Sequence, residues 1–407
     1  MKHRFPGWLM LLAALTAVGP LSIDMYLPSF PAIAEALHTT RGSVERSLPM
    51  FLAGLALGQL FYGPLSDRFG RRPPLLVGLS IYIAGCLGCA LATSIDQLNG
   101  FRLLQALGAG VGMVVSRAVI RDRLDPRESG RAIASLILVM GLAPILAPLA
   151  GGWVLAAFDW HGIFYFQAAF GCACLLWAVF TMSETRPLAG VLPLRLGRVL
   201  RTYASLLADR RLMLPTLCSG LAMGGMFAYI AGSPFVLIGQ YGVSEQDYGL
   251  LFGGNALGLI LSSQLNGYWL RHRQPVAVMR HAVWVPGLAG LALLLMGLFG
   301  HPPLTLLMAG LFAYIAVLGT IMPNASAIAM AEQGHAAGAA SALMGCTSYL
   351  IGMASGLGVS LLDGHSVLPM VAAMAVCGVL ATGFGVWSLQ RPPVVVTAEV
   401  TPDPPPA

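Results

Sequence analysis

Long apolar stretches alternate with short breaks rich in Pro, Gly and charge along almost the whole chain. Each stretch holds about 20 residues, enough to cross a hydrocarbon layer of roughly 30 Å as a helix. Twelve spans are expected, beginning near Gly7, Ser47, Pro74, Leu98, Gly130, Gly162, Leu212, Tyr248, Val276, Pro303, Gly338 and Val367. The first follows Lys2-His3-Arg4 and imitates a secretory signal. Its apolar run continues past Ala17 to Leu27, so it is expected to remain as a span.

The breaks differ in charge. With the amino terminus in the cytoplasm, nineteen of the 23 Lys and Arg fall in inner segments, and Arg41 and Arg46 alone fall in outer loops. Arg102 and Arg117 belong to span 4. This asymmetry predicts an even number of spans with both termini cytoplasmic. With 57% hydrophobic and 10% charged residues, composition excludes a soluble domain. The net charge of +6 is then topogenic, and no nucleic-acid partner is expected. Seven cysteines lie in apolar segments. Cys86 and Cys89 have C-x-x-C spacing, but no His or acid stands beside them in span 3, so packing is expected there and no metal site.

Residues 204 positions apart coincide: Glu128 with Glu332, Gly130 with Gly334, Met140 with Met344, Gly141 with Gly345, Asp159 with Asp363, His161 with His365, and upstream Gly63 with Gly267. The chain therefore divides into two six-span halves, 1–182 and 212–391, descended from one duplicated unit. A polar connector, 183–211, has six arginines, and a Pro-rich tail, 392–407, is expected to be disordered and cytoplasmic.

Two parallel six-helix halves resemble the major facilitator superfamily, an all-α polytopic membrane fold. The loop between spans 2 and 3, Gly63-Pro-Leu-Ser-Asp67-Arg68-Phe-Gly70-Arg71-Arg72, is similar to that superfamily's G-x-x-x-D-R-x-G-R-R element. The glycines allow a tight turn, and Asp67 suits the positive amino-terminal end of a helix. The resemblance implies that this helix is span 11, and that Arg68, Arg71 and Arg72 hold a cytoplasmic gate through charge contacts that exist only when that side is closed. In the second half Arg271 aligns with Asp67, which implies an asymmetric gate. Span 5 carries Gly141, Pro144, Pro148, Gly151 and Gly152, similar to the exporters' G-x-x-x-G-P-x-x-G-G element with Ala147 in place of one glycine. Its prolines predict a bend and its small residues a close helix contact.

Asp24 stands about 24 Å along span 1 from Trp8, in the outer part of the membrane. A lone carboxylate is costly at that depth, making Asp24 a candidate proton carrier. The competing readings are an acid reaching outer-side water, or a structural partner of Arg102. Arg102 lies at a comparable depth in Arg102-Leu-Leu-Gln105-Ala-Leu-Gly108, resembling the superfamily's R-x-x-Q-G element. An arginine keeps its charge in the membrane, so it is expected to favour ionised Asp24 when near and to release it when the halves move.

Together with Pro20-Leu-Ser-Ile-Asp24-Met-Tyr-Leu-Pro28 and Ser116-Arg117-Ala-Val-Ile-Arg121-Asp122, these motifs resemble the Bcr/CflA subfamily of drug:proton antiporters, from about Pro20 to Arg391. The resemblance implies export of small amphipathic drugs or metabolites in exchange for protons, with the proton gradient as energy source, no cofactor, lipid as the surroundings and a monomer as the working unit. A transporter dedicated to one metabolite on the same fold is the alternative. Enzyme motifs such as H-E-x-x-H, G-x-S-x-G and the nucleotide-binding G-x-x-x-x-G-K-[ST] do not occur. A weakly polar pocket is expected from Tyr26, Gln59, Tyr62, Met113, Met226, Tyr229, Asn255 and Asn324, residue types that re-pack around different ligands. Ordinary helix packing is the competing reading for each.

Overall fold

The protein was analysed as a computed structural model, which describes residues 7–185, 196–333, 336–362 and 366–390. The expected tail, Arg391, much of the connector, and Gly334, Asp363 and His365 of the repeat lie outside the described residues. Among the described residues every regular element is helical. In lipid a helix satisfies each backbone donor and acceptor within its own segment, which an open strand does not.

The first crossing is α1 (Gly7–Asp24), which continues past a single 3₁₀ turn, Leu27–Ser29, into α2 (Phe30–Ala36). After α3 (Arg41–Glu45) come α4 (Ser47–Phe69), α5 (Arg72–Ala90) and α6 (Ile95–Arg123). Helix α7 (Pro126–Thr181) runs 56 residues, about 84 Å if straight, far more than one membrane thickness. It breaks at Asp159, whose φ of 66° and ψ of −173° are not helical, so it makes two crossings. Helix α8 (Leu196–Ala208) follows; its Leu206 packs with Leu212, Ala340 and Leu343 near the inner helix ends. The second half contains α9 (Arg210–Pro234), with a π turn after it, then α10 (Glu245–Trp269), α11 (Pro275–Ala282) and α12 (Trp284–Leu298), which share one crossing, and α13 (Leu304–Met330), α14 (Ala337–Leu361) and α15 (Leu368–Leu389).

Among the described residues ten segments are long and apolar enough to cross a membrane. One of them, Val139–Thr181, contains the Asp159 break and counts twice. Helix α10 is long enough at 25 residues, but Asn255, Gln264 and Asn266 dilute its apolar character. Adding it completes the twelve expected crossings. Helix starts are set locally: Ser94, Asp209 and Ser244 accept the backbone N–H of Gln97, Arg211 and Asp247 at 3.3, 2.8 and 3.0 Å, occupying donors that a helix leaves without partners. Small residues let the first-half helices approach closely. A Cβ placed on Gly54 of α4 would lie 2.5 Å from the Leu103 carbonyl oxygen and 2.6 Å from the Ala106 Cβ of α6.

Two helix pairs make most of the contact between the halves, α4 with α14 and α7 with α10, and α3 also meets α14. The duplicated positions occupy equivalent places on this seam: Gly141 of α7 faces Ile260 of α10, and Gly345 of α14 faces Gln59 of α4.

Candidate functional site

Asp24 is the last residue of α1, where the chain leaves the helix for the 3₁₀ turn. It is 4% exposed and, among the described residues, has no hydrogen bond or ion pair. The 3₁₀ turn just after it packs against α9 and α10 of the other half, which carry the buried phenols of Tyr229 and Tyr248. These form one wall. Asn255 Nδ2 donates to the Tyr229 hydroxyl at 3.0 Å, the Tyr248 and Ser233 hydroxyls are 2.9 Å apart, and Tyr229 stacks on Phe252 with centroids 5.4 Å apart. An unbonded acid therefore faces an aromatic, weakly polar wall across the seam.

Behind Asp24, Gly151 of α7 packs onto the carbonyl of Met25, and a Cβ there would collide with it. Its neighbour Gly152 meets the Glu245 carbonyl of α10, where a Cβ would stand 3.0 Å away. The expected close contact in span 5 thus serves both halves at the level of the acid. Opposite it, Gly249 and Gly253 of α10 receive Leu149 and Ile145 of α7. This G-x-x-x-G spacing is visible in the sequence and was not singled out there. Pro144 and Pro148 lie inside the same stretch of α7.

Arg102 is fully buried in the first half. Its Nη1 donates to the Ser22 carbonyl at 3.0 Å and to Gln105 Oε1 at 2.7 Å. Its guanidinium lies 4.6 Å from the Tyr26 ring centroid and 4.3 Å from that of Phe51, cation–π contacts each contributing about 0.5–2 kcal/mol. Gln105 passes the network on to Gln167 at 2.8 Å and Cys86 at 3.0 Å. The expected pairing of Arg102 with Asp24 is not formed. Ser22, whose hydroxyl meets that of Tyr82 at 2.8 Å, and Asp24 are two residues apart on α1, about 200° around the helix. Arg102 holds one face of α1 and Asp24 projects from the other.

The pocket residues divide. Tyr229 and Asn255 belong to the wall facing Asp24. Met113 accepts from the Tyr349 hydroxyl of α14 at 3.5 Å, and Gln59 meets α14 at Gly345, so both lie on the seam. Tyr26 does not line it: its hydroxyl is 3.0 Å from that of Ser47 and its ring underlies Arg102. Tyr62 belongs to a core of the first half, with its hydroxyl directed at Gly78 of α5. Met226 is half-buried against the core. Asn324 donates to Asn266 at 2.6 Å and to the Thr320 carbonyl at 2.7 Å, inside the second half. Tyr248, Ser233 and Tyr349 are seam residues that the pocket expectation lacked.

At the loop between α4 and α5, Gly70 adopts φ +88°, a conformation glycine takes without strain, and the Glu184 carboxylate occupies the space a Cβ would fill. Glu184 accepts the backbone N–H of Arg71 at 2.8 Å and of Arg72 at 3.1 Å, capping α5 with negative charge. Arg71 is the hub, donating to Asp122 at 2.8 and 3.3 Å, to Asp67 at 2.8 Å and to Ser66 at 3.1 Å. Arg72 reaches the Val179 carbonyl at 2.8 Å, and Arg68 is half-buried. These bonds of Arg71 and Arg72 stay within the first half.

That arrangement corrects the expected gate. Helices α4 and α14 touch at Pro49 with Gly356 and at Gln59 with Gly345, an antiparallel register. Eight residues further inward on each helix the register aligns Asp67 with Ala337, the first residue of α14. Yet a Cβ on Gly63 would meet nothing within 4 Å, and the Asp67 side chain is 59% exposed. Among the described residues the seam is closed at its Pro49–Gly356 end and parted at its Gly63–Asp67 end. The Arg71 and Arg72 bonds therefore exist with that end open, contrary to their assignment to the closed state.

Residues 12–357 match the Major Facilitator Superfamily. An MFS-type transporter of Bacillus subtilis, YdgK, is 38% identical over 374 residues, 91% of this chain and 92% of that protein. A bicyclomycin resistance protein homolog of Haemophilus influenzae is 30% identical over 92% of this chain and 94% of its own, and a chloramphenicol resistance protein of Pseudomonas aeruginosa is 29% identical over 94% and 90%. The crystal structure of a D-xylose-proton symporter superposes with a TM-score of 0.72 at 14% identity, covering 93% of this chain and 97% of that one. Matched over most of its length, and folded as twelve crossings with a two-pair seam, this multi-pass membrane protein belongs to the Major Facilitator Superfamily.

Proposed function

We propose that the chain exports small amphipathic drugs or metabolites from the bacterial cytoplasm in exchange for protons, by alternating access along the seam. The observation that carries this reading is Asp24: buried, without a bonded partner, and next to the turn that packs on the Tyr229–Tyr248 wall of the opposite half. An acid with neither cation nor donor beside it exchanges its proton with whichever side its water reaches. When the halves rock, that side changes. The relatives named for bicyclomycin and chloramphenicol resistance support small antibiotics as one substrate class.

In this reading both termini are cytoplasmic, a monomer suffices, and the proton gradient is the energy source without a cofactor. Asp67 closes against the amino end of α14 in the outward-facing state, where helix-terminal N–H groups favour an anion by about 0.3–1 kcal/mol. Arg102 positions α1 and acts on Asp24 through the backbone. The test is substrate-induced proton release from purified, reconstituted protein, in the native chain and in Asp24→Asn. Proton release that survives in the variant overturns the assignment.

A further inference from the structure

Arg117 stands in α6 six residues before the helix ends at Arg123, and it is exposed while Val115, Ser116, Ala118, Val119 and Ile120 around it are buried. Met113, one turn away on the same helix face, meets the Tyr349 hydroxyl of α14 at 3.5 Å. Arg117 therefore looks into the gap between the halves, on the side of α6 that meets Tyr349. It has no hydrogen bond or ion pair among the described residues, whereas Arg71 and Arg211 bind Asp122 and Glu332.

Asp24 is too distant to serve as its counter-ion. Helices α1 and α6 run antiparallel, with Ser116 Oγ donating to the Leu12 carbonyl and Arg102 to that of Ser22. Arg117 is thus level with about Leu11, thirteen residues and roughly 20 Å from Asp24. A guanidinium does not give up its proton, so when the inner side closes and water leaves, this charge needs an anion from elsewhere. The Tyr349 hydroxyl is held by a thioether, a weak acceptor that a better one displaces.

We propose that Arg117 and the Tyr349 hydroxyl, from opposite halves, bind a carboxylate on the transported compound, so that carboxylate-bearing amphipathic molecules are preferred at the cytoplasmic side over their amide or ammonium counterparts. The inference rests on the seam being the transport path. It adds a substrate class to that path.

Three fluorescent probes on one aromatic body test it: dansylglycine, dansylglycinamide and dansylethylenediamine, titrated against the full-length purified protein at neutral pH. Dansylglycine is expected to bind about tenfold more tightly than the amide, as a charge-assisted bidentate pair allows, and the ammonium probe more weakly than either. In Arg117→Gln the carboxylate preference collapses while amide affinity is unchanged; Arg117→Lys retains part of it, and Tyr349→Phe loses a smaller share. A native protein without carboxylate preference, or a preference that survives in Arg117→Gln, overturns the proposal. So does loss of amide binding in both Arg117 variants, which marks a structural role. Uphill export of dansylglycinamide under a proton gradient tests the path separately: its absence with the carboxylate preference intact sinks the transport reading and spares the site.

Discussion

Arg102 Nη1 donates to the carbonyl oxygen of Ser22 at 3.0 Å, gripping the backbone of α1 just over half a turn before Asp24. A single ammonium cannot reproduce that bond together with Gln105 and the Tyr26 and Phe51 faces. Arg102→Lys is expected to lower transport at least about tenfold and fold stability by about 1–3 kcal/mol. Transport per folded molecule, with thermal unfolding of the same sample, checks it; native values for both would reduce Arg102 to a point charge.

Asp24→Asn keeps the volume and removes the titrating group. Gradient-driven export should vanish, while a neutral compound such as chloramphenicol should bind within about twofold of the native affinity, since the wall opposite holds hydroxyls and an amide without a formal charge. Binding and uphill transport measured on one preparation decide it. Accumulation against a gradient in this variant would transfer the proton to another acid.

Two glycines, one packed on the seam and one in open space, should behave oppositely. A Cβ on Gly151 collides with the Met25 carbonyl, so Gly151→Val is expected to cost about 1–3 kcal/mol and to block the cycle. Gly254 of α10 has open space around it, and Gly254→Ala should be neutral or stabilising by up to about 1 kcal/mol. Equal melting shifts in the two variants would contradict this packing of α7 on α1.

The outer closure includes Phe235, whose ring lies 6.1 Å from that of Phe30 and 5.0 Å from the Arg41 guanidinium, both across the seam. Phe235→Ala removes about 0.5–1.5 kcal/mol from the closed state and should raise the outward-open population several-fold. Spin-label distances across the outer end of α4 and α14 would report it as a longer component. An unchanged distribution would make Phe235 a bystander.

Much of the architecture was legible because it is written in a local pattern, the apolar length that marks each span. Helix α10 was legible by length although Asn255, Gln264 and Asn266 weaken its apolar signal. What stayed hidden was rotation about each helix axis. Arg102 and Asp24 have the right depth to meet, yet the azimuth of α1 separates them, and the same uncertainty misplaced Tyr26, Tyr62 and Asn324. Glu184 had no local signature because its partners, the backbone N–H groups of Arg71 and Arg72, lie more than 100 residues earlier.

The α4–α14 register makes those two helices a lever with its fulcrum at Gln59 and Gly345. From there the outer contact at Pro49 is about 15 Å away and the inner alignment of Asp67 with Ala337 about 12 Å. With arms so nearly equal, a given tilt widens one mouth by about as much as it narrows the other. Substitutions at the ends would then bias which mouth stands open, whereas bulk wedged at the fulcrum, where Gly345 meets the Gln59 side chain, would oppose both motions together.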